Sequence, residues 1–381
     1  MKSSKKVMKF TAFLAALTLT AGMPMTLPTG SFSVSPIIAQ AEEEYKDGNL
    51  TFMLYDDHAE VINFDFTATT AEIPATVKGL PVTSIGIYAF NGSSVTSVTI
   101  PDSVTYIGQW AFAMCGSLKE VTIPDSMEHI DINAFQLCSS LSEVNFPDKF
   151  VKISGGAFDS TPWLDAERTK DPLVIVNGAL VDGRTCKGDV EIPSTVKYIA
   201  SGAFQRNSDL TSVVVPSSVK EINDSTFFYC DNLVSATLPN VELIDSMAFD
   251  GCTKLSEVKL SGKLKSIASY AFDDISASGT ITFYGSKETW DKVEKPDDCE
   301  YLNKAKYIFD ENAQPPEDED VTGDVNMDGE FNVSDLVVFQ KWLLAVPNTE
   351  LKNWKAADMC SDNHLDVIDL CAMRKELTKK L

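Results

Sequence analysis

Leu118-Lys119-Glu120-Val121-Thr122-Ile123-Pro124-Asp125-Ser126-Met127-Glu128-His129-Ile130-Asp131-Ile132-Asn133-Ala134-Phe135-Gln136-Leu137-Cys138-Ser139-Ser140-Leu141 is one full copy of a pattern that recurs along this chain. Val121 and Ile123 alternate as in a short strand with one buried face. Pro124 ends that strand, because proline has no amide to give a ladder. Ile130 and Phe135 follow at fixed offsets. The dipeptide Ala-Phe places its Phe at 90, 112, 135, 158, 204, 249 and 272, and Phe227 follows Thr226 in the same slot. Successive steps are 22 or 23 residues, except for one double step of 46 between Phe158 and Phe204, where Ala179-Leu180 is expected to fill the missing slot. A fixed period of this size predicts a solenoid. One coil cannot bury its own apolar side, and stacked neighbours make one continuous core. The reading is a mainly β solenoid of about nine coils.

Two slots of the repeat carry further information. Three residues after the Phe stand Cys115, Cys138, Cys230 and Cys252. A position shared by four coils predicts a ladder of buried thiols, with a Cys115–Cys138 bond as the open alternative. Two residues before the Phe stand Tyr88, Trp110, Asn133, Gly156, Gly202, Ser225, Met247 and Tyr270. A slot so tolerant is expected to face outward. Tyr88 and Trp110 then lie side by side, either covering the N-terminal cap or forming a flat surface for sugar rings or a protein. These repeats resemble the BspA-like leucine-rich repeats of bacterial surface proteins over residues 45–309. Leu50 to Phe64 reads as a capping hairpin. Thr280 to Tyr284, a short helix around Trp290 and a strand ending at Phe309 read as the other cap.

Beyond an acidic linker at 310–320, with six acids and Pro315-Pro316, the pattern changes. Asp324, Asn326, Asp328 and Asp335 stand at positions 1, 3, 5 and 12 of a calcium-type loop. Gly329 makes the turn at 6, Glu330 offers its carbonyl at 7, and Asn332 acts through water at 9. The loop recurs 34 residues later as Asp358, Cys360, Asp362, His364, Asp366 and Asp369. This second copy is poorer, because Cys360 brings a thiol to a hard-cation site. A duplicated loop-helix with Asp at position 12 resembles the type I dockerins of bacterial cellulosomes over residues 321–381. The resemblance implies a small all-α module of paired EF-hand-like loop-helices holding two Ca2+. It implies binding to the cohesin module of a scaffoldin through Val333, Ser334, Gln340 and Lys341, or by pseudo-symmetry Val367, Ile368, Arg374 and Lys375.

Residues 1–41 read as an export signal, with four lysines ahead of the apolar run Phe10 to Ala21 and an Ala39-Gln40-Ala41 cleavage site. Their removal takes the net charge from −23 to −27. Such an anion repels phosphate backbones, so nucleic acid is excluded as a partner. No other stretch is long and apolar enough to span a bilayer. The three histidines, His58, His129 and His364, are scattered, and no nucleophile elbow, zinc motif or phosphate loop is present. No insertion walls the cleft that paired glycosidase carboxylates need. The expectation is a secreted, extracellular, non-catalytic binding or adhesion subunit docked on a cellulosome-type scaffold and linked to polysaccharide breakdown. An inert spacer and an unrecognised polysaccharide hydrolase are the alternatives.

Overall fold

The computed structural model describes residues 43–275, 278–311, 323–326, 331–347, 349, 351, 353–360 and 365–380. The proposed export signal and linker residues 312–320 lie outside them. The repeat region is a β-solenoid of about 11 turns. A typical coil contributes two short strands to two parallel ladders. Glu120–Thr122 pairs with Glu143–Asn145 in one ladder, and His129–Ile130 lies between Tyr106–Ile107 and Lys152–Ile153 in the other. The apolar positions of the quoted copy, Leu118, Val121, Ile123, Met127, Ile130, Phe135, Cys138 and Leu141, are all buried.

The repeat phenylalanines form the axis of the core. Phe64, Phe90, Phe112, Phe135 and Phe158 stack in order, with centroids 4.6–5.2 Å apart. Phe204, Phe227, Phe249, Phe272 and Tyr301 form a second stack at 5.0–5.6 Å. Phe64 and Tyr301 add one turn at each end of the nine slots read from the sequence. Both belong to the caps. At the N-terminal end Glu43–Asp47, Leu50–Leu54 and Ala59–Phe64 form an antiparallel meander. At the other end Thr280–Tyr284 pairs with Lys306–Phe309.

The double step corrects one expectation. Leu180 does not occupy the Phe slot: it pairs with Ile199, so it sits in the slot of Ile130. The Phe slot belongs to Gly183, whose amide donates to the Ala203 carbonyl at 2.7 Å, as the Phe135 amide does to Ala157. A Cβ on Gly183 would lie 2.3 Å from the Phe204 ring, so the missing side chain is space that Phe204 uses. The shift arises from inserted structure. Helix α1 (Pro162–Lys170) starts on the Thr161 cap and covers the first stack with Trp163, 4.7 Å from Phe158. A hairpin, Val174–Val176 with Ala179–Asp182, turns at Asn177-Gly178, both with positive φ, as a two-residue turn requires. Ion pairs bridge the break. The carboxylate of Asp182, fully buried, accepts from Arg168 Nε at 3.0 Å and Nη2 at 2.9 Å and also from Arg184, which in turn pairs with Asp159.

Among the described residues five further helices come later in the chain: α2 (Lys287–Asp291), α3 (Glu300–Lys304, which carries Tyr301 of the second stack), α4 (Val333–Leu343), α5 (Trp354–Ala357) and α6 (Val367–Lys380). Helices α4 to α6 enclose a separate small core of Val325, Phe331, Phe339, Ala357, Leu370 and Met373. Phe339 and Met373, both fully buried, are 34 residues apart and occupy equivalent places in the two copies. Gly323, at φ +94°, is required here: a Cβ would lie 2.4 Å from the Phe331 ring.

Candidate metal centre and docking surface

The two loops follow one hydrogen-bond plan. In the first, Asp335 Oδ1 accepts from the amides of Val325 at 3.0 Å and Asn326 at 3.2 Å, and Oδ2 accepts from Asn332 N at 2.9 Å. In the second, Asp369 Oδ1 accepts from Cys360 N at 3.2 Å and Oδ2 from Asp366 N at 3.0 Å. Each position-12 carboxylate therefore ties the start of its loop to the start of the following helix. Asn332 Oδ1 accepts from Ser334 N at 2.7 Å, and Asp366 Oδ1 from Ile368 N at 2.6 Å, so position 9 caps the helix in both copies. Burial pushes the Asp369 carboxyl up, and the donations from backbone amides and the Cys360 thiol outweigh it, holding it below the usual carboxylate range.

Asp324 and Asp335 are buried and Asn326 is half-buried. Their donor atoms are all hard oxygens, which fits calcium. Asp328 and Glu330 of this loop, and Asp362 and His364 of the second, lie outside the described residues. In the second loop Asp358, Cys360 and Asp369 bring one ligand atom each to within 4.8 Å of one another. That donor set includes a thiol, so it fits calcium less well.

The docking candidates are exposed. Val333 and Ser334 open α4, and Val367 and Ile368 open α6; Val333 and Val367 are each 63% exposed. Gln340 and Lys341 on α4, and Arg374 and Lys375 on α6, are also exposed. Arg374 Nη2 donates to Gln340 Oε1 at 3.3 Å, so these two related positions meet instead of lying on separate faces. Sequence reading missed Val337 and Leu344, both exposed. Their offsets of 4 and 11 from Val333 place all three on one helix face, a signal present in the helical period.

On the solenoid, the slot before the repeat Phe has a backbone cause. Tyr88, Trp110, Asn133, Gly156, Gly202, Ser225, Met247 and Tyr270 all have φ between 52° and 68°. The slot is left-handed, which explains its Gly, Asn and Ser, while Tyr and Trp there are strained. Tyr88 is 55% exposed and stacks on half-buried Trp110, with centroids 6.3 Å apart and planes 18° apart. The cysteine slot is also explained. Cys115, Cys138, Cys230 and Cys252 are buried free thiols, each donating to the carbonyl of the repeat Phe one coil earlier at 3.0–3.1 Å. The histidines do not converge. His58 pairs with Asp57 and stacks on Tyr55 in the N-terminal hairpin. His129, held below its usual pKa by burial, contacts Ser154 at 2.8 Å. His364 lies outside the described residues.

No helix among the described residues is long and apolar enough to cross a membrane. The description "BspA type Leucine rich repeat region" matches in six copies over residues 66–173 and 185–293, and "Dockerin type I domain" matches residues 322–378. No curated protein matches the chain. Among solved structures, the chain is similar to a leucine rich cell surface protein from Faecalibacterium prausnitzii, at 23% identity over 67% of this chain and 98% of that one, with a TM-score of 0.33. It is similar to a leucine-rich repeat protein from Bacteroides capillosus, at 35% identity over 32% of this chain and 96% of that one, TM-score 0.30. A leucine rich repeat protein of T. pallidum matches at 27% identity over 56% and 91%, TM-score 0.34. Repeats and dockerins are in general non-catalytic; type I dockerins bind calcium and cohesins, and the cellulosome components that carry them are extracellular. With the repeat description matching more than half of its length, the chain belongs to the BspA-type leucine-rich repeat proteins and carries a type I dockerin domain.

Proposed function

We propose that this chain is a secreted, non-catalytic binding subunit, anchored by its dockerin to the cohesin of a cellulosome-type scaffold that serves polysaccharide breakdown. The observation that carries this reading is the exposure of Val333, Val367 and Ile368 directly beside the carboxylates that hold each loop. An apolar side chain presented next to an ion-ordered loop suits a partner that binds only when the loop is loaded. Calcium in the first loop is held by Asp324, Asn326, Asp328, the Glu330 carbonyl and Asp335, with Asn332 at position 9. The second loop is the weaker calcium site.

The test is capture of the full chain by an immobilised cohesin-bearing scaffold, with calcium and with chelator. Calcium-dependent capture is expected. Replacing Val333 and Ser334, together with Val367 and Ile368, by charged residues should weaken it by roughly 100-fold, about 2.7 kcal/mol, the scale of interface hot spots. Capture that ignores both chelator and this quadruple change, against a cohesin that binds other dockerins, refutes the reading.

For the solenoid we propose a ligand surface at Tyr88 and Trp110, taken by a glycan or a surface protein. An exposed Tyr88 ring stacked on a half-buried Trp110, both at left-handed positions, supports it. Three of the other coils fill this slot with Gly or Asn, which the left-handed backbone favours, so the two rings are present at a backbone cost. This pair is what separates a binding subunit from an inert spacer.

A further inference from the structure

The two loops share their geometry and differ in their donor atoms. Asn326 and Cys360 both stand at position 3, and their amides donate to the equivalent carboxylate oxygen at the same distance, 3.2 Å. The backbone therefore points the two side chains alike. One supplies an amide oxygen, the other sulfur. Cys360 Sγ lies 3.8 Å from Asp358 Oδ1, and these atoms with an oxygen of Asp369 close to within 4.8 Å of one another. Asp369 is fully buried. Calcium takes six to eight oxygens and gains little from sulfur. A zinc-class ion takes about four ligands and accepts thiolate and carboxylate together. Three such donors already converge here.

We propose that the second loop selects a zinc-class, thiophilic divalent ion over calcium, held by Asp358, Cys360 and Asp369. The module then carries one calcium and one thiophilic ion. The proposal rests on the calcium reading of the first loop and departs from it only at the second. It has a functional consequence. The amides of Cys360 and Asp366 and the start of α6 hang on Asp369, as those of Asn326 and Asn332 and the start of α4 hang on Asp335. The Val367–Ile368 face is thus set by the thiophilic ion, and the Val333–Ser334 face by calcium. The choice of docking face becomes a choice of metal.

The experiment uses the full chain, stripped of metal and loaded with excess Ca2+, then titrated with Cd2+ as a spectroscopic zinc substitute. Native mass spectrometry counts the ions, and the thiolate-to-Cd2+ absorption band reports sulfur ligation. The expected result is one calcium and one cadmium per chain, with the band saturating at one equivalent. Outer-shell partners of a metal alone are worth about 10–100-fold in affinity, so Cys360→Ser should weaken Cd2+ by at least roughly 100-fold and abolish the band. Cys360→Asp should instead hold two calcium ions; if it fails to fold, Cys360→Ser still decides. A wild-type chain that keeps two calcium ions against equimolar Cd2+, or binds Cd2+ without the band, overturns the proposal. So does a band that survives Cys360→Ser, since it then comes from another thiol such as the exposed Cys371. Failure of the first-loop reading looks different: no calcium is retained by any variant.

Discussion

The solenoid and the dockerin are both built by repeating a segment, yet each copy is held by a different force. In the solenoid, a coil offers its neighbours a buried ring and backbone amides: Phe135 lies between Phe112 and Phe158, and its amide donates to the next coil. In the dockerin, a copy is organised around one carboxylate that collects amides from both ends of its loop. The first arrangement draws on apolar area and needs nothing from outside. The second concentrates negative charge, so its stability is expected to depend on a cation. The lesson is that repetition alone says little about stability. What the repeated residue binds to, another copy or an ion, decides whether unfolding is graded or metal-linked.

The sharpest way to break this comparison is removal of calcium. Chelator is expected to unfold residues 321–381 and leave the solenoid transition in place. At a calcium concentration 1,000-fold above Kd, binding linkage stabilises a site by about 4.1 kcal/mol, a large share of what so small a core, a cluster of six buried apolar side chains among the described residues, can supply. Two calorimetric transitions, of which only one moves with chelator, would bear this out. A single transition indifferent to chelator would show that the dockerin holds itself together as the solenoid does.

A smaller effect sharpens the solenoid half. Phe135→Ala removes a ring from the middle of a stack and is expected to cost ~3–5 kcal/mol. Phe272 lies near the end of the repeats, where a bare terminal coil would lose less. Tyr301 changes that, stacking on it at 5.6 Å opposite Phe249 at 5.1 Å. Phe272→Ala should therefore fall in the same range, and Tyr301→Ala should take on the smaller, terminal loss. Denaturant melts of the three variants check the order. A Phe272→Ala loss well below that of Phe135→Ala would mean the cap ring does not close the stack.

The period, the strand alternation and the calcium positions were legible in the sequence because each rests on residue types at fixed spacing. Phe135, Ile130 and Asp335 need no tertiary context to be recognised. The Gly183 slot was not legible, since the feature that defines it is a missing ring. Its signals were indirect: Asn177-Gly178 marks a hairpin, and Cys186 stands three residues after Gly183, the same offset as Cys138 from Phe135. The tolerant slot at Tyr88 was legible as outward-facing, while its left-handed backbone was hidden by the Tyr, Trp and Met that occupy it. Asp182 illustrates another limit. Arg184 stands two residues away, but nothing local shows that Arg168 converges on the same carboxylate.

The smallest expected effect on stability is the one that bears most on function. Tyr88 and Trp110 adopt φ of 60° and 59°, a conformation that costs an ordinary side chain roughly 1–2 kcal/mol and that Asn tolerates better. Asn133 already occupies the same slot one coil further on, at φ 58°. Changing Tyr88 and Trp110 together to Asn therefore relieves backbone strain while removing the ring stack, worth about 0.5–1.5 kcal/mol. The relief at two positions is set against that stack and against the apolar area of half-buried Trp110, about 1.5–3 kcal/mol if fully buried, so the terms nearly cancel and the melt is expected to move by no more than ~1 kcal/mol. Binding to cell-wall glycans or to surface proteins, assayed with the same variant on arrays, should be lost. A loss of stability above ~2 kcal/mol would make the rings part of the packing. Unchanged stability with unchanged binding would leave the solenoid without a ligand surface at this pair and return it to the role of a spacer.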